Sequence, residues 1–399
     1  MRRPSKRARP LEYTLLYAAT LFLLAIGAVM VYSASSATSL LRGPGDPSFY
    51  LKRYVIFGLV GLIVLRIMAT HGLKLAKTFT PLLLVGGFVL TAAVRLPGIG
   101  VSVNGATRWL SAGPVQFQPS ELLKLALILY AAQLLAVRPK SVQTIEGLIK
   151  PLLLVVGAAC MLLMAQPDMG TAIVTCLAVG SLLIAAGVPK ENLLKIIGVL
   201  VVLALIFAVV EPYRRARLLT FLHPWQDQTG SGFQSVQAMI AIGSGGFFGV
   251  GLGESVQKIF YLPEAHTDMI LAVIGEEWGV LGITAVAGLF GLLGYAGLRA
   301  AKTAKDRYGK LVAAGITGLI LSQATLNLFA VMGMAPLTGV PLPFISYGSS
   351  NLIVVLAGAG ILLNVASGAS VPMRQQRERP QRSRASQQRS RRTRSTRAA

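Results

Sequence analysis

Residues 261–268, Tyr-Leu-Pro-Glu-Ala-His-Thr-Asp, run directly into a long apolar stretch that begins at Met269. The apolar stretch 269–298 exceeds the roughly 20 residues that a helix needs to cross the hydrocarbon core of a bilayer. Asp268 therefore lies at the predicted boundary between water and lipid. A carboxylate is costly to keep at the mouth of a membrane helix, so Asp268 is a candidate functional residue.

Similar apolar stretches recur along the whole chain. Of its 399 residues, 54% are hydrophobic and only 13% are charged. The apolar residues form runs close to twenty long, without the period of 2 or 3.6 that marks a half-buried strand or helix. The sequence therefore predicts an all-α polytopic membrane protein with ten transmembrane helices. We place these spans at residues 13–33, 54–69, 79–95, 121–137, 151–166, 170–187, 193–210, 269–298, 311–333 and 350–367.

The distribution of basic residues predicts the orientation of the chain. With the amino terminus inside, 27 of the 38 Lys and Arg residues fall on the cytoplasmic side and nine on the outer side. This bias follows the positive-inside rule, and ten spans return the carboxyl terminus to the cytoplasm. We divide the chain into a basic cytoplasmic segment (1–12), a ten-span membrane domain (13–368) and a cytoplasmic tail (369–399).

The net charge of +23 does not require a nucleic-acid partner, because short cytoplasmic loops and the tail hold most of the excess. Residues 374–399 are rich in Arg, Ser and Gln and have no apolar face, which predicts disorder. We expect this tail to contact the anionic headgroups of membrane lipids, with docking of a protein partner as the alternative. Cys160 and Cys176 both fall inside spans and make no disulfide framework.

Two outer loops are candidates for function. The first, residues 98–124, contains Arg108 beside Trp109, a pair that suits either a lipid phosphate or anchoring at the interface. Later in this loop, Glu121 and Lys124 are three residues apart at a helix start and share one face. They form either an ion pair that locks the fourth span or part of a substrate site.

The second outer loop, between spans 7 and 8, extends from residue 211 to 268 and is longer than a tight connection requires. Arg214 and Arg215 lie there against the charge bias, which favours a phosphate-binding role, with headgroup contact as the alternative. Residues 233–242 are consistent with a short amphipathic helix against the bilayer. The glycines of 243–253 fit no nucleotide-binding spacing, so we interpret them as allowing the backbone to turn tightly or to approach a ligand.

Five groups of residues form recognisable motifs: NGATRW (104–109), FQPSELLK (117–124), Gln237 with AIGSGG (241–246), LPEAHTD (262–268) with GEE (275–277), and PFISYG (343–348). Together they resemble the SEDS family (shape, elongation, division and sporulation), to which FtsW and RodA belong. The similarity extends in order over residues 10–368, and LPEAHTD and PFISYG are closer to FtsW than to RodA. Two departures are residues 349–351, Ser-Ser-Asn, where the family usually has a second glycine, and Trp278.

The resemblance implies a peptidoglycan glycosyltransferase that polymerises lipid II at the outer face of the bacterial cytoplasmic membrane and releases undecaprenyl diphosphate. It also implies a role in cell division at the septum and a partner, a class B penicillin-binding protein that cross-links the glycan. Asp268 matches the family's catalytic position. A helix cap is the alternative role for this residue.

The chemistry of that reaction makes specific demands on the site. An α-linked donor that becomes a β-linked glycan is inverted, so one carboxylate can act as general base on the acceptor hydroxyl. The leaving diphosphate needs cations, and Mg²⁺ or Mn²⁺ stays open as a cofactor because such ions need few protein ligands. The candidate cations are Arg108, Lys124, Arg214, Arg215 and Lys258, and the further candidate substrate-binding residues are Glu121, Glu264, His266 and Ser346.

Glu276 and Glu277 lie about 12 Å deeper than Asp268 along the same predicted helix, from a rise of about 1.5 Å per residue. We assign at least one of them to an internal ion pair. Two other functions stay open. A lipid II flippase would favour discontinuous helices and an inverted repeat, and the sequence shows no repeat. A division scaffold without chemistry would not need Asp268.

The predicted topology can be tested with single cysteines at Ser231 and Ser386, introduced after replacement of Cys160 and Cys176. We expect an impermeant thiol reagent to label the cysteine at 231 in intact cells but not the one at 386, because the charge bias places them on opposite sides. Labelling of both positions, or of neither when lysed cells label fully, would rule out the ten-span arrangement.

Overall fold

The helices of the computed structural model coincide with the apolar runs of the sequence. The structure describes residues 10–96, 98–103, 106–112, 115–210, 215, 219–230, 232–371 and 373, so the basic segment 1–9 and the tail 374–399 lie outside it. In chain order the helices are α1 (Leu11–Leu41), α2 (Phe49–Ala93), α3 (Pro119–Val137), α4 (Ile145–Leu148), α5 (Leu154–Ala165), α6 (Met169–Ala186), α7 (Lys190–Val210), α8 (Phe233–Gly245), α9 (Ile270–Thr303), α10 (Arg307–Val331) and α11 (Ser349–Ala366). A π-helical turn, Ile149–Leu153, joins α4 to α5.

The predicted class, an all-α polytopic membrane protein, is confirmed. Within the described residues, eight helices are long and apolar enough to cross a membrane: α1, α2, α3, the continuous run α4–α5, α6, α9, α10 and α11. One of them, α2, contains two of the predicted spans, 54–69 and 79–95. The predicted span 193–210 coincides with α7, which is not among the eight. The number of ten crossings therefore stays a prediction.

The 45-residue helix α2 turns back within its own length. Gly58 faces Leu352 near the beginning of α11, and Gly87 faces Leu123 near the beginning of α3. A hydrogen bond joins the beginnings of α3 and α11, so both ends of α2 lie on the same side of the bundle. A straight helix of this length would instead separate its ends by about 65 Å.

The turn in α2 has a specific cause in the side chain of Asn364 on α11. The Asn364 amide nitrogen donates to the carbonyls of Ala69 and Thr70, both at 3.0 Å. Its amide oxygen accepts from the backbone N–H of Leu73, also at 3.0 Å. In an uninterrupted helix that N–H would bond to the carbonyl of Ala69. The buried amide thus replaces a helical hydrogen bond, which is one recognised cause of a kink.

The first outer loop folds into a small antiparallel sheet, which the sequence analysis missed. Strands β1 (Gly100–Val103), β2 (Ala106–Ala112) and β3 (Val115–Phe117) lie in the order β1-β2-β3. In the sequence, two residues separate β1 from β2 and two separate β2 from β3, and the first two are Asn104-Gly105. Asn-Gly between apolar residues is the strongest short-range hairpin signal, so the sheet was detectable in the sequence.

The second outer loop reaches α9 at a break in that helix. Gly279 has φ 65° and ψ −160°, which interrupts α9 and frees backbone groups on both sides. Such groups must be bonded within the protein because lipid offers no partners. Backbone of residues 246–251 supplies the partners at 2.9 to 3.3 Å. The four bonds run from Val250 N to Glu276 O, Gly251 N to Glu277 O, Val280 N to Gly246 O and Leu281 N to Phe247 O.

This pairing explains the glycines of the loop, because α8 and the segment after it approach the backbone of α9 closely. A Cβ atom at Gly245 would lie 2.0 Å from the carbonyl oxygen of Gly275. The predicted helix at 233–242 is confirmed as α8, and its buried residues pack on α9. These glycines do permit a close approach, but the group approached is the backbone of α9 and not a ligand.

Two glycines of this loop separate the effect of close approach from that of backbone strain. Gly249 (φ 85°) and Gly253 (φ 87°) share a left-handed conformation, but only at Gly249 would a Cβ meet backbone, 2.1 Å from Glu277 O. We expect both alanine variants to carry a strain of about 1–2 kcal/mol. Gly249→Ala should lose about 1–3 kcal/mol more through overpacking. Thermal unfolding in detergent compares them, and equal melting temperatures would contradict the pairing.

Candidate functional site

Asp268 lies half-buried at the end of the second outer loop, two residues before α9 begins. The hydroxyl of Thr267 is 3.1 Å from Asp268 Oδ1 and 2.9 Å from Glu264 Oε2, so it lies between the two carboxylates. Glu264 has φ 55°, and its carbonyl accepts from the N–H groups of Thr267 and Met269. A non-glycine residue in this conformation is strained, and such strain clusters at functional sites.

The backbone of Asp268 is held from inside the bundle by α10. Asn327 Nδ2 donates to the carbonyl of Asp268 at 2.7 Å and to that of Val340 at 2.8 Å. Asn327 is 2% exposed, so this contact lies below the site, away from solvent. Sequence analysis did not single out Asn327. The sequence could have pointed to Asn327, because an amide side chain inside an apolar span usually forms a hydrogen bond to another helix.

The ion pair Glu121–Lys124 lies deeper and connects to the same part of α10. Its Nζ–Oε1 distance is 2.9 Å, and both side chains are 2% exposed. Lys124 Nζ also donates to Gln323 Oε1 at 3.2 Å, and Gln323 lies one helical turn before Asn327. The predicted pairing of Glu121 with Lys124 is confirmed. A role of the pair in substrate binding stays a prediction.

Lys258, a candidate for the diphosphate, is instead buried against α1 and α9. Its ammonium is 2.7 Å from Glu277 Oε1 and donates to Ser33 Oγ at 3.0 Å and to the carbonyl of Gly253 at 2.6 Å. These contacts use all three ammonium donors. The expected internal ion pair is confirmed for Glu277. A direct contact between Lys258 and substrate would require this buried pair to break, so we remove Lys258 from the diphosphate candidates.

Glu276, the neighbour of Glu277, anchors the loop segment that precedes Lys258. Its carboxylate accepts from the hydroxyl of Ser255 at 2.5 Å and from the N–H of Val256 at 3.0 Å. Both carboxylates of α9 are therefore bonded to the outer loop rather than open to a ligand.

The other predicted cations lie in varied environments. Arg108 on β2 is half-buried, and its guanidinium donates to the carbonyls of Gln166 (3.1 Å) and Pro167. Arg215 is exposed, and Arg214 lies outside the described residues. The structure does not bring Arg108 into contact with Asp268.

Ser346 was a candidate for substrate contact, but it lies inside a turn of the PFISYG segment. It is 1% exposed, and its hydroxyl accepts from the N–H of Leu342 at 2.8 Å. The structure therefore gives this side chain a role in shaping the turn. The unusual residues that follow are also structural, because Ser349 and Ser350 bond to backbone of residues 116 and 118.

An aromatic cluster lies beside Asp268 and contains His266 as predicted. The His266 ring is 4.2 Å from the Tyr50 ring and 5.7 Å from the Tyr347 ring, and the two tyrosine rings are 5.0 Å apart, all between centroids. The N–H of Tyr347 donates to the carbonyl of His266 at 2.9 Å. Burial lowers the pKa of His266, against an opposing effect of Glu264, so the imidazole is neutral at physiological pH. Tyr50 and Tyr347 were not predicted as site residues.

The part of the chain that the structure describes contains no group of three or more His, Cys, Asp and Glu residues that could hold a metal ion. Cys160 and Cys176 are free thiols with sulfur atoms 3.6 Å apart between α5 and α6.

These features define a class of protein: an integral membrane protein with a carboxylate and aromatic site at the mouth of a helical bundle. The chain belongs to the FtsW/RodA/SpoVE family of cell cycle proteins, whose model matches residues 13–370. This agrees with the resemblance carried by the sequence motifs.

Named relatives and solved structures support this membership. The chain is 40% identical over 342 residues to "Probable peptidoglycan glycosyltransferase FtsW" of Geobacter sp. strain M18, covering 86% of this chain and 93% of the relative. It is 39% identical to stage V sporulation protein E of Bacillus subtilis, covering 88% and 96%.

Among solved structures, a peptidoglycan synthase complex described as coordinating polymerization and crosslinking contains a chain with TM-score 0.71 and 31% identity. That match covers 88% of this chain and 96% of the other. The rod shape determining protein RodA of Thermus thermophilus aligns with TM-score 0.64 and 27% identity, covering 92% and 100%.

The ion pair of Lys258 with Glu277 gives a stability prediction. Lys258→Met should destabilise the protein by about 3–5 kcal/mol, because it leaves a buried carboxylate unpaired. The double variant Lys258→Met/Glu277→Gln should recover much of that loss. Thermal unfolding in detergent measures both, with Lys52→Met, which removes an exposed ion pair to Asp46, as the control expected to change little. If Lys258→Met proves as stable as Lys52→Met, the pair of Lys258 with Glu277 is not buried in the native state.

Proposed function

We propose that the protein is a peptidoglycan glycosyltransferase that polymerises lipid II at the outer face of the cytoplasmic membrane. The observation that carries the proposal is the half-buried carboxylate of Asp268 just before α9, on a residue whose backbone carbonyl is held by Asn327. The proposal is supported by relatives named as probable peptidoglycan glycosyltransferases over 86% of this chain.

In the proposed reaction, Asp268 accepts the proton of the acceptor's 4-hydroxyl as its oxygen attacks the anomeric carbon of the donor. The bond from that carbon to the phosphate oxygen breaks, and the electron pair leaves with the lipid diphosphate. A single displacement of this kind inverts the anomeric centre and requires one general base. Thr267 donates to the carboxylate and Asn327 holds the backbone of the same residue before substrate binds, which reduces the reorganisation needed in the transition state.

We extend the proposal to the cellular setting. The chain would act in the cytoplasmic membrane at the division septum, with both termini in the cytoplasm, beside a class B penicillin-binding protein that cross-links the product. The likeness to a chain from a peptidoglycan synthase complex supports such a partner. The resemblance to FtsW over RodA supports a role in division.

We also propose that Mg²⁺ or Mn²⁺ assists the reaction mainly through the diphosphate. Glu264 and Asp268 are the acidic groups nearest the proposed reaction centre and offer oxygen ligands of the kind such ions prefer. An ion coordinated chiefly by phosphate oxygens and water does not require a dedicated protein cage.

A lipid II flippase is the second candidate, because α9 is discontinuous at Gly279 and transporters often bind substrate at such breaks. In this chain, however, backbone N–H and carbonyl groups of residues 246–251 bond to groups freed at the break. The carboxylates beside it bond to Ser255 and Lys258. These contacts favour a structural role for the break.

The direct test is polymerisation of lipid II by the purified full chain, with and without the cross-linking partner, followed by separation of glycan strands on a gel. Glycan strands that form with the wild type but not with a variant of Asp268 would support the enzymatic function. Transbilayer movement of lipid II without any polymer would instead support the flippase.

Substitution of the proposed base gives the sharpest prediction. Asp268→Asn should lower polymerisation by about two to four orders of magnitude, because the amide keeps the size of the side chain but cannot accept the proton. Glu264→Gln is the matched control, since it removes a charge that shares the Thr267 hydroxyl with Asp268. We expect it to retain far more activity. Near-normal polymerisation by Asp268→Asn, with the protein folded, would refute the proposed mechanism.

A further inference from the structure

The first turns of α2 place a cation, Arg53, close to the aromatic cluster. The sequence analysis did not select this residue. Arg53 is half-buried, and its guanidinium carbon lies 4.3 Å from the centre of the Phe49 ring. The Phe49 ring in turn contacts the Tyr50 ring edge-to-face at 5.2 Å. A stacked guanidinium has a restricted position, while its N–H groups still point outward from the plane's edge.

Within the part of the chain that the structure describes, Arg53 makes no hydrogen bond and no ion pair. It stacks on the Phe49 ring and interacts electrostatically with the hydroxyl of Tyr50. Its neighbour Lys52, by contrast, is 2.7 Å from Asp46, and this hydrogen bond is the main reason that the pKa of Asp46 is lowered to about 2. A half-buried guanidinium without an acceptor is costly, and its five N–H donors remain available to a ligand.

The position of Arg53 relative to Asp268 is set by the aromatic cluster. Tyr50 and Arg53 are three residues apart in α2 and so lie on neighbouring positions of one helix face. The Tyr50 ring is 4.2 Å from His266, which is two residues before Asp268. Arg53 and Asp268 therefore both lie close to the aromatic cluster, Arg53 through Tyr50 and Asp268 through His266.

We propose that Arg53 binds the diphosphate of the lipid-linked donor and stabilises the charge that develops on it as it leaves. This inference rests on the proposed function. In an inverting displacement the base and the leaving group act on opposite faces of the anomeric carbon, which requires a carboxylate and a cation with room for a sugar between them. Guanidinium is well suited to phosphate oxygens because its donors can bind two of them at once.

Three of the cations predicted from the sequence are already bonded within the protein. Lys124 and Lys258 are buried and bonded to Glu121 and Glu277. Arg108 already donates to two backbone carbonyls. Arg53 combines proximity to the aromatic cluster with unused donors, and no step of the reaction requires it to change protonation state.

The test compares Arg53→Gln and Arg53→Lys with the matched control Lys52→Gln in the purified full chain, together with the cross-linking partner. Arg53→Gln should lower kcat for polymerisation by about 10²–10³-fold, as loss of a transition-state donor does in other enzymes. Arg53→Lys should recover part of the rate, because it restores charge without the bidentate geometry. Lys52→Gln should stay within about twofold of wild type, since Lys52 is exposed and paired with Asp46.

A binding measurement separates this inference from the proposed function. Undecaprenyl diphosphate should raise the melting temperature of the wild type, of Lys52→Gln and of Asp268→Asn. The concentration needed should increase at least tenfold for Arg53→Gln. If the wild type proves unable to polymerise lipid II, the proposed function fails, whereas this shift still reports whether Arg53 binds a diphosphate. If undecaprenyl diphosphate raises the melting temperature of Arg53→Gln at the same concentrations as for the wild type, the inference is overturned, even if Asp268→Asn is inactive.

A phosphate group could also come from a membrane phospholipid, and the choice of detergent distinguishes the two sources. In dodecyl maltoside without phospholipid, the defect of Arg53→Gln should persist in full. A defect that appears only in vesicles containing phosphatidylglycerol would assign Arg53 to headgroup binding and overturn the inference. If Arg53→Gln does not fold, the same measurements on Arg53→Lys decide, with wild-type kcat and wild-type diphosphate affinity as the contradicting result.

Discussion

Every backbone polar group inside a membrane must find its partner within the protein, and the rest of this structure depends on how that requirement is met at Gly279. Here α9 is interrupted, and residues 246–251 bond to the groups that the interruption frees. The outer loop is therefore part of the bundle. The carboxylates of Glu276 and Glu277 continue the same contact by holding Ser255 and Lys258. The part of the loop that precedes the LPEAHTD segment is therefore held in place by α9.

A second constraint is the allocation of charge between the interior and the mouth. Two buried cations are neutralised locally: Lys124 by Glu121, and Lys258 by Glu277. Neither pair leaves a full charge for a ligand, and breaking either would leave an ion without solvation. At the mouth, Asp268 is half-buried and Arg53 retains unused donors. The proposed chemistry uses these partly hydrated groups, whose interactions can strengthen as substrate displaces water.

The site also shows how remote elements control one carboxylate. Asp268 precedes α9 in the chain, yet its carbonyl is held by Asn327 on α10, and its neighbour His266 packs on Tyr50 of α2. The turn through Glu264, with its left-handed backbone, is maintained by this surrounding structure. The position of the base is thus determined by three helices rather than by the local segment alone.

The sequence by itself determined the features that depend on composition or on near neighbours. Runs of about twenty apolar residues predicted the helices because a single segment satisfies its own backbone groups in lipid only as a helix, and the spacing of Glu121 and Lys124 placed them on one helix face. The LPEAHTD motif identified Asp268 before any geometry was known. Asn104-Gly105 contained the signal for the missed sheet. Only the tertiary structure decided that Lys258 and Ser346 are buried, that Asn327 holds the site and that Arg53 keeps free donors. Those facts depend on contacts between residues far apart in the chain, and no local pattern specifies which distant side chain will occupy a donor or exclude water from it.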